Sequence, residues 1–183
     1  MGKIFVLFVV LFLGLLGCGN STGSSTDLNT VYLAVSPSSS RLEADVLTGN
    51  SCTNGGGTYT TESIPITITS TAYSTALVKS PVTINNIKVS YSKYNTNSTA
   101  PTLLDQYDTG LTINPDEVKT FNVNVATDKL KLDLVQTYNF NLCSLDYWEY
   151  YATITFSGVE DYTKKSFSFS TIVKVAFADR NNL

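Results

Sequence analysis

The chain has 183 residues, twelve of them basic and fifteen acidic, for a formal charge of -3, and it contains no histidine. Without a run of Lys or Arg there is no electrostatic footprint for nucleic acid and no polybasic membrane patch. Without imidazole, Ser-His and Cys-His nucleophile pairs and most catalytic zinc sites are excluded. Thr, Ser, Val, Ile, Tyr and Phe outnumber the helix formers beyond residue 18, which points to an all-β fold.

Met1-Gly2-Lys3 opens the chain with one positive charge, and residues 4–16 form an apolar run interrupted only by Gly14. Thirteen residues fall short of the roughly 20 needed to span a bilayer, but they suit the apolar region of a signal peptide. Leu15-Leu16-Gly17-Cys18 follows directly and resembles the lipobox of bacterial lipoproteins. The resemblance implies removal of residues 1–17, a diacylglycerol on the Cys18 thiol and further acylation, as with palmitate, of the new N-terminus. Several acyl chains hold a protein at a membrane far more firmly than one. Gly19, where an Asp would resemble an inner-membrane retention signal, favours the outer membrane of a cell that has two. Residues 19–30 are rich in Gly, Ser, Thr and Asn, so 18–30 is expected to be a flexible tether with a reach of about 20 Å.

From Val31 the pattern becomes period-two, the signature of strands with one wet face. Val31, Leu33 and Val35 alternate with Tyr32 and Ala34. Ile64, Ile66 and Ile68 alternate around Pro65, which lacks an amide proton and so places this strand at an edge or a bulge. Ile87, Val89 and Tyr91 make a third run. Leu111 and Ile113 precede a turn at Asn114-Pro115-Asp116-Glu117, and Phe121, Val123 and Val125 follow it. Residues 127–135 can be a short helix, with Leu130 and Leu134 on one face, or a strand; the helix is the favoured reading. Tyr150, Ala152, Ile154 and Phe156 form the next strand, and Phe167 to Phe177 the last.

Seven or eight such strands in residues 31–183 predict a single antiparallel β-sandwich. The run Asp146-Tyr147-Trp148-Glu149-Tyr150-Tyr151-Ala152-Thr153-Ile154, with the hairpin after it, resembles bacterial immunoglobulin-like or fibronectin-type-III-like domains. Antibody domains differ in carrying a Cys on the sixth strand and a Trp in the middle of the third. Cys52 and Cys143 are the pair left after export, and in an oxidising compartment an even pair reads as a disulfide. An immunoglobulin-like topology implies that the loops bearing them meet at one end. Closing so long a loop is worth up to about 4–5 kcal/mol in the chain-entropy model.

The densest aromatic cluster is Tyr147, Trp148, Tyr150 and Tyr151. Alternation buries Trp148, Tyr150 and Ala152 and leaves Tyr147, Glu149 and Tyr151 on the other face, so Tyr147 and Tyr151 are the candidate surface contacts. Asp105, Asp108, Asp116 and Glu117 lie in one loop-rich stretch, and Glu160 and Asp161 in the last hairpin; without a calcium-loop pattern they read as solvated loop charges. Asn54-Gly55-Gly56-Gly57 lacks the Lys-Ser/Thr of a phosphate loop. No catalytic residue, metal ligand or cofactor motif emerges. The expectation is a non-catalytic envelope lipoprotein, held to the membrane through Cys18, that binds another envelope protein by a loop end or an edge strand. A glycan-binding domain is the alternative, and a carboxylate-based hydrolase a third reading.

Overall fold

The computed structural model describes residues 24–51, 55–94, 100–143 and 147–180. The expected signal peptide, Cys18 and Cys52 lie outside these residues. Among the described residues the alternation resolves into two sheets and one helix. The first sheet holds β1 (Ser24–Asp27), β2 (Val31–Pro37), β4 (Glu62–Ala72) and β7 (Val118–Ala126) in the order β1-β2-β4-β7, all antiparallel. The second holds β3 (Arg41–Asp45), β9 (Ser166–Ala178), β8 (Trp148–Glu160), β5 (Val82–Lys93) and β6 (Gln106–Ile113) in the order β3-β9-β8-β5-β6. Its pairs are antiparallel except β3 with β9, which is parallel. The helix α1 (Asp128–Gln136) joins β7 to β8.

The inner faces of both sheets supply one core. Leu33, Ile66, Ile68 and Val123 come from the first, and Ile84, Val89, Ile154, Phe156 and Phe177 from the second. Phe121 of β7 meets Phe156 of β8 edge-to-face at 6.2 Å, an aromatic contact that bridges the sheets. The two ends differ. The helix end holds α1, the starts of β4 and β8 and the finish of β9. The hairpin end holds the β4–β5 loop, the turn at Asn114–Glu117 and the β8–β9 hairpin.

Several expectations are corrected. The tether was expected to run to residue 30, but Ser24–Asp27 pairs with β2, and Leu28 and Thr30 are buried. A run of Ser, Thr and Asp carries no hydrophobic signal, so its strand is imposed by its neighbour. Nine strands are described rather than seven or eight; β1 and the charged β3 are the additions. The favoured helix at 127–135 is present as Asp128–Gln136, with Thr127 as its extended N-cap. The Thr127 hydroxyl caps the first turn by accepting from Leu130 N at 3.2 Å, and Leu130 and Leu134 are buried.

Pro65 sits in an interior strand, not an edge. Its carbonyl accepts from Ser38 N, just beyond the last β2–β4 pair at Pro37 and Ile66. A residue's N and O point to the same side of a strand, so the absent amide proton faces a position where β2 has ended. A bulge at Glu62/Ser63 lies close by.

Glu160 is not a solvated hairpin charge. The residue is fully buried, and its carboxylate accepts from Thr30 N and the Thr30 hydroxyl, both at 2.7 Å, and from the Thr163 hydroxyl. Burial alone pushes this carboxyl up, but these bonds, with one from Asn29 N, outweigh it and hold it below the usual range. Thr30 also accepts from Ser80 N, so one carboxylate ties the β1–β2 turn, the β4–β5 loop and the last hairpin together.

A second bulge shapes the other sheet. Asn85 is the extra residue in β5, and it lets Ile84 and Ile87, three apart, both face inward. Glycines flank it on both neighbouring strands. A Cβ at Gly110 of β6 would lie 1.5 Å from the Ile84 carbonyl oxygen, and one at Gly158 of β8 would lie 2.1 Å from that of Thr83. Close backbone approach is the reason for glycine at both places.

Candidate functional site

A groove of about 230 Å³ lies between the start of β6 and α1. Leu103 is buried and pins the approach to β6, so the next residue, Leu104, faces out and is 68% exposed. Gln106 ties the two walls together. Its Oε1 accepts from the Thr127 hydroxyl at 3.0 Å, and its Nε2 donates to Leu104 O at 3.3 Å. On the helix wall, Lys129 and Asp133 form an i,i+4 pair at 3.0 Å beside the buried Leu130. The chain leaves the helix through Asn139 at φ 56°, which lets Phe140 N reach Leu134 O at 2.9 Å. This turn brings Tyr138 to the groove, and its hydroxyl donates to Thr102 O at 3.4 Å.

Asp105 pairs with Lys88 at 2.7 Å, and this bond raises the Lys88 ammonium. Both groove carboxylates are thus engaged by ammonium groups. Two carboxylates and the Lys129 ammonium line the groove, and Lys88, outside the lining, offsets the remaining charge through Asp105. Tyr107, 66% exposed, offers a ring on the β6 side.

Tyr147 and Tyr151 lie on the outer face of the second sheet, 52% and 40% exposed, while Trp148, Tyr150 and Ala152 pack inward as alternation predicts. The two tyrosines do not make one platform. Three residues lie between them, a separation of roughly 13 Å along an extended chain. Tyr151 packs edge-on against Tyr94, with ring centroids 5.0 Å apart and planes inclined by 65°. Lys174 caps the Tyr94 ring at 3.5 Å and pairs with Glu149 at 2.7 Å, and Glu149 also takes Arg41 at 3.3 Å. Sequence reasoning missed Tyr94, Lys174 and Arg41. The signal for Lys174 is its cross-strand pairing with Tyr151, which needs the register.

At the hairpin end, Leu77 stands fully exposed at the tip of the β4–β5 loop, with Val78 beside it. Tyr162 on the adjacent hairpin is also exposed, and its N donates to the Ser80 hydroxyl at 2.8 Å. The loop base is fixed: Ala76 N bonds Tyr73 O, and Lys79 pairs with Asp116 at 3.0 Å. The Tyr73 hydroxyl donates to Asp27 at 2.5 Å, a bond that pushes the phenol up to about 12.

Among the described residues, no helix is long and apolar enough to cross a membrane, and no group of three or more His, Cys, Asp or Glu could hold a metal. No protein-family model matches the chain, and no curated protein matches it.

Proposed function

We propose that this chain is a lipid-anchored, non-catalytic module of the bacterial cell envelope that docks a protein partner through its hairpin end. The observation that carries the reading is the exposed apolar tip of Leu77 and Val78, with Tyr162 beside it, on a loop held in shape by hydrogen bonds and an ion pair. An apolar anchor on a preorganised loop loses little freedom on binding.

Three of the four edge strands are poor docking sites by comparison. β1 has four residues, and β3 has five with Arg41, Glu43 and Asp45 along it. On β6, Lys119 donates to the Thr112 carbonyl at 2.9 Å. Short, charged and covered edges discourage strand addition.

We read the two sheets as an immunoglobulin-like sandwich. The parallel pairing of β3 with β9, the central β8 and the helix just before β8 support that reading. A Cys52–Cys143 disulfide belongs to it. Asn50 bonds Asp179 at 2.9 Å, and Trp148 pairs with Phe177, so the chain next to each cysteine comes to the finish of β9. The proposed anchor at Cys18 is six residues before Ser24, a span of about 20 Å at most. Because β1 runs from the helix end toward the hairpin end, an anchor there holds the helix end near the bilayer and turns Leu77 away from it.

Intact mass of the membrane-extracted protein is expected to show lipid on an N-terminal Cys18 and one pair of hydrogens fewer than the reduced chain. An unlipidated mass, or two free thiols, would remove the corresponding part of the proposal. The partner is tested by placing a photoreactive residue at position 77 in cells. One reproducible protein adduct is expected, and Leu77→Asp should abolish co-purification of that protein. Absence of any protein adduct at this position rejects the docking surface.

A further inference from the structure

We infer that the groove between β6 and α1 is a binding site for a neutral sugar unit of a glycan. This site is separate from the hairpin end and does not depend on the protein partner proposed above.

The inference starts from what lines the groove. Tyr107 is two-thirds exposed, and Leu104 as much, although both side chains are apolar enough to be costly to leave in water. Carboxylates and an ammonium group stand beside them: Asp105, Asp133 and Lys129. The centre of a protein–protein interface is depleted of Asp and Lys, because each would lose its hydration there. A sugar has the opposite requirement. Its C–H face packs on an aromatic ring, and its hydroxyl groups donate to carboxylates and accept from ammonium groups at the ring's edge.

Charge and size narrow the class. Asp105 is paired with Lys88 and Asp133 with Lys129, so the groove has no net field to attract an anionic or a cationic ligand. Ion-paired carboxylates keep free lone pairs for hydroxyl donors. The volume, about 230 Å³, lies below the roughly 300–1,000 Å³ typical of pockets that enclose a drug-sized molecule. It suits one ring seated from the side, with the rest of a chain running out into solvent. The walls are held before any ligand arrives, since Gln106 links Thr127 to the β6 approach.

The experiment is a titration of the full mature protein with neutral oligosaccharides of hexoses and N-acetylhexosamines, first on an array and then by calorimetry. Saturable binding to at least one neutral glycan is expected. Tyr107→Ala and Asp105→Asn should each weaken it at least tenfold, and Tyr151→Ala, on the outer face of the sheet, should leave it unchanged. Tyr107 is largely exposed, so its variant should melt with the wild type and report on binding alone. Three results overturn the inference: no saturable binding at about 10 mM glycan, well above a millimolar Kd; binding that Tyr107→Ala and Asp105→Asn leave intact; or preference for charged glycans over neutral ones. Loss of the Leu77 adduct with glycan binding retained would reject the protein-docking proposal and leave this one standing.

Discussion

Gly110→Ala is expected to lower the melting temperature by about 6–12 °C, which corresponds to about 3 kcal/mol for a domain of this size. The added carbon would lie 1.5 Å from the Ile84 carbonyl oxygen and 2.5 Å from its carbon. Both atoms are backbone, so no rotamer change relieves the overlap. β6 must move away from β5, and because β6 is the last strand of its sheet it gives up its only ladder. The same displacement opens the β6 wall of the groove. Thr112→Ala, two residues along the same strand at an exposed position, serves as the comparison and should cost about 0.5 kcal/mol or less. Thermal unfolding followed by circular dichroism reads both. A Gly110→Ala protein that melts with the wild type would show that the bulge at Asn85 does not demand glycine.

The second large effect concerns a charge the sequence gives no reason to bury. Lys131 of α1 is fully buried, and its ammonium group reaches Glu62 Oε1 at 2.6 Å, where the same oxygen accepts from Asp45 N at 2.9 Å. Glu62→Ala leaves that ammonium without its counter-ion and Asp45 N without its acceptor, so it should cost about 3–5 kcal/mol. Lys131→Met removes the buried charge itself. Its side chain fills the same space, and the partly exposed Glu62 keeps some hydration, so the loss should stay within about 1 kcal/mol. The double variant should therefore regain most of what Glu62→Ala loses, a clear departure from additivity. Urea unfolding at constant m-value measures all three. Equal losses from the two single variants would mean that the pair, rather than the unpaired ammonium, carries the energy.

These two cases mark where sequence reading succeeds and stops. Alternation reports which face of a strand meets the core, so Trp148, Tyr150 and Ala152 were separable from Tyr147 and Tyr151 by spacing alone. Leu130 and Leu134 likewise identify the buried face of α1. β1 and β3 were invisible because Ser-Ser-Thr-Asp and Arg-Leu-Glu-Ala-Asp owe their strands to partners, β2 and β9, rather than to their own side chains. Glu160 reads as a solvated loop charge and nothing in the sequence singles out Lys131, since only the fold reveals that Thr30 and Glu62 wait for them. The groove was equally hidden. Its aromatic wall and its helical wall are more than twenty residues apart, and nothing local in either announces the other.

The parallel pairing of β3 with β9 has a consequence for how the molecule comes into being. Arg41 lies beside Lys174, and Thr30 is bonded to Glu160, 130 positions away. Contacts between such distant parts of a chain slow folding, since the long loop must close before any of them helps. While the chain emerges from the ribosome, β3 has no neighbour to join until β9 is made. The inner face of β8 also lacks Val173, Val175 and Phe177 to cover it. A product cut short before β9 is thus a sticky, open chain rather than a slightly smaller domain. The domain therefore takes its shape only once β9 has been made.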